Sequence, residues 1–252
     1  MSSDAHLSRA TGWGLVVAVA LAYANSVQAP FVYDDVPAIL ENESIRRWAT
    51  AWSPPPGVTV SGRPLVNATL ALNYALSGYR VWSYHGVNIA IHAAATALLF
   101  GIVRRTLQLP VCAARFGARA TPLAGAAAAL WGLHPLATES ITYVVQRAEA
   151  LMGLCYLGTL YAFVRSARTG GARLWQGLSV GVCALGMLSK EVMVSAPLLV
   201  LLHDRTFVAG SFCAAWRARR GYYLGLAATW LPLAWLVAAG GGNRGGTVGF
   251  GS

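Results

Sequence analysis

Two adjacent carboxylates, Asp34 and Asp35, offer the clearest catalytic chemistry in the sequence and stand just after its first apolar run. Charge at a membrane edge is costly unless it is solvated or paired, so the pair is a candidate functional site. Neighbouring residues point in different directions, so the two carboxyl groups are not expected to flank one bond. A more plausible arrangement is that one carboxylate acts as a general base and the other orients it. A helix cap with a solvated loop is the structural alternative.

Three basic residues could bind a phosphate group. Lys190 is the only lysine and lies between two apolar runs, where a charged residue is a functional candidate. Its ammonium group would bind phosphate as a point charge, and the guanidinium of Arg63 would fork onto phosphate oxygens. Arg147 precedes another apolar run. The alternatives are lipid headgroup contact for Arg63, and a simple membrane boundary marked by Lys190 and Glu191.

Further polar residues lie close to apolar runs. His134 and Glu139 flank a proline at the end of the third predicted helix and could meet if the turn is tight. A proline-terminated helix with a cap is the alternative there. His85, Asn88 and His92 are three and four residues apart, so they share one face of a helix. Such a face points into the protein, for substrate contact or for hydrogen bonds between helices. Nothing nearby completes a metal site, and none is expected.

The elements that must position these residues are membrane helices. The chain is 56% hydrophobic and 11% charged, with a mean hydropathy of +0.52, whereas soluble domains carry about 25% charged residues. Its apolar runs are close to the ~17–25 residues that a span requires, which predicts an all-α integral membrane protein. The seven predicted helices cover residues 11–29, 84–103, 120–136, 148–164, 174–189, 192–204 and 222–239.

The distribution of arginines predicts which helix ends share a side of the membrane. With seven spans and the N-terminus inside, the gaps 104–119, 165–173 and 205–220 are cytoplasmic and hold most of the 19 basic residues. Most acidic residues then lie outside. One long helix over 174–204 would bury Lys190 and Glu191 near the bilayer centre, so we predict a break on the outer side at these residues.

The longest gap, 30–83, is the predicted first outer loop. Its segment 64–79 is apolar but short, which predicts a helix lying in the membrane interface. Residues 1–239 thus form one predicted membrane domain, followed by a flexible glycine-rich tail over 240–252. Basic residues confined to short gaps do not make a nucleic-acid-binding surface. The four cysteines are widely separated, so we expect buried thiols in place of a disulfide or metal framework.

In this layout the candidate residues fall together on the outer face. A base, several phosphate-binding cations and a membrane setting indicate chemistry on a lipid-linked phosphate. The residues that meet there are Asp34, Asp35, Arg63, His134, Glu139, Arg147 and Lys190. A transporter would instead carry charges in the middle of its helices and inverted repeats, and the sequence has neither pattern.

Five sequence segments carry a family resemblance. In chain order they are FVYDDVPAILENESI, GRPLVNATLALNYALSGY, YHGVNIAIHAAATALLF, LHPLATESITYVVQRAEALMGLCYL and LSKEVMVSAPLLVLLHDR. Over roughly residues 12–207 the chain resembles the start of the TMTC family. These are membrane proteins with C-terminal tetratricopeptide repeats, assigned to the GT-C glycosyltransferases. The resemblance implies a GT-C-like bundle of about seven transmembrane helices, with a long first outer loop that carries an interfacial helix.

The resemblance also implies an activity, the transfer of a hexose, typically mannose, from a polyprenyl-phosphate donor to a hydroxyl group with inversion. In eukaryotic members the hydroxyl belongs to a protein serine or threonine. Asp34 would be the catalytic base, and Asp35 would orient the acceptor or the base. The residues implied to bind the donor phosphate are Arg63, Lys190 and Arg147. Those implied to line the site are His134, Glu139, His85, Asn88 and Glu191. No tightly bound cofactor is expected.

The family's further helices and its tetratricopeptide repeats are missing from this sequence, so a longer chain or a partner chain is expected to supply them. Besides the lipid-linked sugar donor, the expected partners are a protein or glycan acceptor and the lipid bilayer. No nucleic-acid partner is expected. A non-catalytic membrane scaffold or anchor is the alternative function. The alanine-, arginine- and glycine-rich composition favours a bacterial inner membrane with the site facing the periplasm. A eukaryotic member would face the lumen of the endoplasmic reticulum.

Overall fold

The computed structural model describes residues 2–167 and 171–239, and every regular element in these ranges is helical. The principal helices are α1 (Ser2–Tyr23), α2 (Pro64–Ser77), α3 (Val81–Leu107), α4 (Ala120–Gly132), α5 (Arg147–Ser166), α6 (Ala172–Met187), α7 (Ala196–Asp204), α8 (Phe212–Ala228) and α9 (Trp230–Ala239). The predicted glycine-rich tail over 240–252 lies outside the described residues.

Short helical segments connect the principal helices. They are Ala24–Gln28, Val36–Leu40, Glu43–Arg46, Trp48–Ala51, Pro110–Phe116, Gly117–Arg119, Pro135–Ala137, Thr138–Thr142, Val144–Gln146, Glu191–Ser195 and Arg205–Ala209. Two of them begin with proline at their first position, where the missing N–H has no helical partner to lose.

Four helical stretches are long and apolar enough to cross a membrane, namely Asp4–Gln28, Val81–Leu107, Glu191–Ala209 and Phe212–Ala238. The prediction of an all-α integral membrane protein is therefore confirmed. The other three predicted spans form α4, α5 and α6, of which α4 has only 13 residues, fewer than the ~17–25 that a span requires. The count of seven spans stays a prediction.

Ion pairs join the arginine-rich ends of the helices at one end of the bundle. Arg104 of α3 pairs with Asp4 of α1 at 2.7 Å, and Thr121 of α4 donates to the same carboxylate at 2.9 Å. Arg219 of α8 pairs with Asp204 of α7 at 2.9 Å. The ends that charge assigned to the cytoplasm thus meet, which agrees with the predicted up-and-down order of the helices.

The chain breaks where the sequence predicted, between the two apolar runs around Lys190. Helix α6 ends at Met187, Lys190 has an extended backbone (φ −157°, ψ 147°), and helical structure resumes at Glu191. The rival arrangement, one long helix through 174–204, is therefore wrong. The break keeps both charged side chains at an end of the bundle, away from its middle.

The long loop before α3 is held by α2, whose two faces differ. Asn67, with no exposed surface, donates hydrogen bonds at 2.8 Å to the carbonyl of Ala51 and the hydroxyl of Ser44, which anchors the segment 43–51. The opposite face leaves Leu72 and Leu76 51% and 74% exposed. An exposed apolar face of this kind is typical of a helix lying in the membrane interface, as the sequence predicted.

Candidate functional site

The adjacent carboxylates Asp34 and Asp35 diverge, as their adjacency predicted. Tyr33, which precedes them, has a positive φ of 46°, and this turn leaves Asp34 exposed. The Asp34 N–H donates to the hydroxyl of Tyr143 at 2.9 Å. Asp35 is 1% exposed and accepts the N–H groups of Val32 at 3.2 Å and Val145 at 2.8 Å. Asp34 therefore meets solvent, while Asp35 ties its loop to the segment before α5.

Burial raises the pKa of Asp35, and the two backbone N–H donors oppose that shift by stabilising the carboxylate. Its location excludes direct contact with an acceptor in this conformation. Of the two roles that the family resemblance implied for Asp35, only the orientation of Asp34 fits this geometry. Asp34 is the member of the pair that a substrate can reach.

Arg63 and Lys190 lie close together, although 127 positions separate them in the sequence. The N–H of Leu65 donates to the carbonyl of Leu188 at 3.2 Å, which joins the start of α2 to the turn before Lys190. The ammonium group of Lys190 forms an ion pair with Glu149 in the first turn of α5. Burial lowers the pKa of Lys190, the nearby Arg63 charge adds to this effect, and Glu191 opposes it.

Arg147 is fully buried and forms the centre of a hydrogen-bond network. Its guanidinium donates to the side-chain oxygens of Asn88 at 2.7 Å and Asn73 at 2.6 Å, and to the carbonyls of Tyr84 at 2.9 Å and Thr69 at 3.2 Å. This geometry corrects the prediction that Arg147 binds a donor phosphate, because its donors are directed at protein oxygens and no surface is open to a ligand. Arg147 instead joins α2, α3 and α5.

The polar face of α3 also points into the protein. His85, 1% exposed, bonds through Nε2 to the carbonyl of Ala29 at 3.1 Å. Asn88 has no exposed surface and donates to the carbonyls of Ile141 at 3.2 Å and Val144 at 3.3 Å. The prediction that His85 and Asn88 line the site is corrected, because both side chains are buried and both bind backbone carbonyls of the outer loops, although Nδ1 of His85 has no hydrogen-bond partner among the described residues. The alternative, hydrogen bonding between segments, is the arrangement found.

Of the other predicted lining residues, His134, Glu139 and Glu191, only His134 lines a cavity. The cavity has a volume of about 390 Å³, and Nδ1 of His134 accepts the N–H of Leu136 at 3.2 Å. Glu139 is exposed and lies outside the residues that line this cavity. Glu191 is near enough to influence the pKa of Lys190 but does not line the cavity either. Within the described residues, no three His, Cys, Asp or Glu side chains come together as metal ligands.

Three residues at this end of the bundle were missed from the sequence. Tyr143 contacts Asp34, Glu149 contacts Lys190, and Trp131 lines the cavity beside His134. Glu149 carried a usable signal, because an acidic residue at the start of an apolar run needs a partner. Tyr143 and Trp131 carried none, since aromatic residues are common near membrane surfaces.

We predict that Tyr143→Phe loosens the turn that presents Asp34. The substitution removes the oxygen that accepts the Asp34 N–H, a hydrogen bond of about 1 kcal/mol. Amide hydrogen exchange in residues 32–36 should therefore become about fivefold faster. Tyr79→Phe is the matched control in the same loop, because the Tyr79 hydroxyl donates to the carbonyl of Leu40 at 3.4 Å and has no contact with Asp34. Equal exchange in wild type and Tyr143→Phe would contradict the role of this contact.

The fold and these contacts define an all-helical integral membrane protein with carboxylates and cations assembled at one end of its bundle. Comparison with curated proteins gives the family. The chain is 35% identical over 199 residues to protein O-mannosyl-transferase Tmtc2 of Drosophila melanogaster, covering 72% of the chain and 20% of that protein. It is 36% identical over 219 residues to Drosophila Tmtc1 (81% and 24%) and 30% identical over 212 residues to mouse TMTC3 (79% and 22%).

The chain therefore belongs to a TMTC-like family. It spans between a fifth and a quarter of the length of the relatives described. No protein-family model matches the chain, and no solved structure matches it.

Proposed function

We propose that this chain is the membrane catalytic module of a protein O-mannosyl-transferase that uses a polyprenyl-phosphate hexose as its donor. The observation that carries the proposal is the exposed carboxylate of Asp34 at the same end of the bundle as the Arg63 and Lys190 cations. The carboxylate and the cations are connected through the start of α5. Asp34 contacts Tyr143, which lies just before α5, and Lys190 contacts Glu149, which lies in the first turn of α5. The names of the relatives support a sugar transferred to protein.

In the proposed reaction, Asp34 accepts the proton of a serine or threonine hydroxyl as its oxygen attacks the anomeric carbon. The bond between that carbon and the bridging phosphate oxygen breaks, and the electron pair leaves with the polyprenyl phosphate. Attack opposite to the leaving group inverts the configuration of the anomeric carbon. Arg63 and Lys190 stabilise the negative charge that builds on the phosphate.

An apolar cleft supports a lipid-linked donor. It has a volume of about 350 Å³ and is lined mainly by apolar residues, with Gly153 and Ser195 beside them. The apolar ones are Leu99, Trp131, Met152, Tyr156, Leu157 and Val192. These residues come from α3, α4, α5 and the segment that follows Lys190, so the cleft reaches the part of the chain next to that cation. A prenyl chain in the bilayer is already out of water, so van der Waals packing against the cleft, and not transfer from water, would hold it there.

The relatives also bear on the membrane in which the protein resides. They come from animals and lend no support to the bacterial inner membrane that composition favoured. We place the site on the face opposite the arginine-rich gaps, which in a eukaryotic member is the lumenal face of the endoplasmic reticulum. The acceptor is then a protein that enters this compartment.

The direct test is a transfer assay on the full-length protein in lipid nanodiscs, with a radiolabelled polyprenyl-phosphate mannose and serine- and threonine-containing acceptor peptides. We expect label on the peptide hydroxyl and release of polyprenyl phosphate in equal amounts. Label on neither product, with the protein folded, would favour the non-catalytic scaffold.

Lys190→Gln should weaken binding of the donor phosphate. Loss of one charge-assisted contact of about 1.5–3 kcal/mol predicts a dissociation constant for polyprenyl phosphate at least tenfold higher. Arg46→Gln is the matched control, since Arg46 is a partly exposed cation of the same outer face, paired 3.6 Å from Glu43. Binding unchanged in Lys190→Gln would remove Lys190 from the phosphate site.

A further inference from the structure

The cavity of about 390 Å³ lies at the outer end of the apolar cleft and shares Trp131, Met152 and Gly153 with it. Its volume falls within the ~300–1,000 Å³ typical of small-molecule sites. The two spaces differ in chemistry, because the outer cavity adds polar side chains. These are His92, His134, Ser140 and Glu149. A ligand with an apolar tail and a polar head therefore fits the two spaces together.

The charge of the cavity indicates which part of such a ligand it holds. Among the described residues that line it there is one carboxylate, Glu149, and no lysine or arginine. The Glu149 carboxylate already pairs with Lys190, and its remaining lone pairs can accept hydrogen bonds from hydroxyl groups. The cavity therefore suits a neutral polyhydroxyl group better than an anion.

The position of the cavity next to Lys190 also indicates that it holds a sugar. The carboxylate of Glu149 lines the cavity and also contacts the ammonium group of Lys190. A phosphate bound at Lys190 would thus lie at the edge of the cavity. A sugar joined to that phosphate through a single oxygen would lie next to the cavity.

Trp131 provides the apolar wall that a sugar ring needs. Its side chain is 40% exposed, and it stacks on His92 with ring centroids 4.9 Å apart and planes 26° apart. His92 is fixed in turn by a 2.9 Å hydrogen bond to the carbonyl of Gly132. The indole is therefore held in place before a ligand arrives, so binding does not have to order it.

We propose that this cavity is the hexose-binding subsite of the donor. Trp131 packs against the sugar ring, while Glu149, Ser140 and His134 bind its hydroxyl groups. The proposal rests on the proposed function for the lipid-phosphate part of the ligand. It adds the residues that distinguish a sugar-bearing lipid from a bare one.

The test compares binding of two probes to the full-length protein in nanodiscs, a short-chain polyprenyl-phosphate mannose and the same polyprenyl phosphate without sugar. We expect wild type to bind the sugar-bearing lipid at least tenfold more tightly. Ser140→Phe, which fills the cavity, should reduce this ratio to below twofold. Trp131→Leu should reduce it as well, and the ratio cancels any effect of Trp131 on the lipid tail.

Thr142→Phe is the matched control, because Thr142 lies in the same short helix as Ser140 but does not line the cavity. It should keep the wild-type ratio. If Ser140→Phe does not fold, as judged by thermal melting, the ratio in Trp131→Leu decides. Equal affinity of wild type for both lipids, or an unchanged ratio in the folded variants, would overturn the subsite and leave the proposed function standing. Binding of neither lipid to wild type would overturn both.

Discussion

Asp34→Asn is expected to lower the rate of sugar transfer by the full-length protein by about 10²–10⁴-fold, the usual contribution of a general base. Asparagine has nearly the same shape but cannot accept the proton of the acceptor hydroxyl. Asp34 is exposed, and the substitution leaves the hydrogen bond from its N–H to Tyr143 in place. The Asp34 side chain also interacts with the Tyr143 hydroxyl, and an asparagine amide can still hydrogen-bond to it. The loss should therefore appear in kcat, with the dissociation constant of the donor nearly unchanged.

Glu43→Gln is the matched control for Asp34→Asn. Glu43 is an acidic residue of the same outer loop, and its side chain is 83% exposed in a 3.6 Å ion pair with Arg46. Such an exposed pair contributes only about 0–1 kcal/mol, so this variant should transfer sugar at the wild-type rate. Transfer by Asp34→Asn within twofold of wild type would remove Asp34 from catalysis, and with it the observation on which the proposed function is based.

Arg147→Met is expected to have the largest effect on stability. The side chain is similar in length and apolar, but it leaves the carbonyl of Tyr84 and the side-chain oxygens of Asn73 and Asn88 without their donor. Each buried acceptor left unsatisfied costs about 1–3 kcal/mol, so we expect a loss of roughly 3 kcal/mol or more. For a chain of this size that corresponds to a fall in Tm of roughly 6–12 °C in thermal unfolding.

Two further variants separate the effect of losing the hydrogen bonds of Arg147 from the effect of losing its charge. Arg80→Met removes an exposed cation that directly precedes α3 and should leave Tm nearly unchanged. Arg147→Lys keeps the charge, but lysine has three donors and no planar fork, so it should recover only part of the stability. A Tm for Arg147→Met close to that of wild type would contradict the assignment of Arg147 as the connector of α2, α3 and α5.

The sequence located the apolar part of each helix because long apolar runs depend only on composition and length. It missed the polar starts, since α1 begins at Ser2 and α8 at Phe212, nine and ten residues before the predicted spans. The break at Lys190 was also predictable, since a lysine and a glutamate in the middle of a membrane span are too costly. The positions of arginine-rich gaps likewise predicted which helix ends meet, and the ion pairs of Arg104 and Arg219 agree with that order.

The roles of individual polar residues were less predictable, and Arg147 is the clearest example. An arginine at the start of an apolar run can be a phosphate ligand or a buried residue that connects helices. The sequence does not distinguish the two for Arg147, because its partners Asn73, Tyr84 and Asn88 come from distant segments. His85 was ambiguous for the same reason.

By itself the sequence therefore determined the class of protein, the approximate helices and the end of the bundle that gathers its polar residues, because hydrophobic burial and membrane charge rules act on local composition. Only the tertiary structure decided that Asp34 is exposed while Asp35 is buried, that Arg147 serves packing, and that Glu149 joins Lys190 to a cavity beside Trp131. These outcomes depend on which side chains face each other across helices, and that is set by packing between segments far apart in the chain.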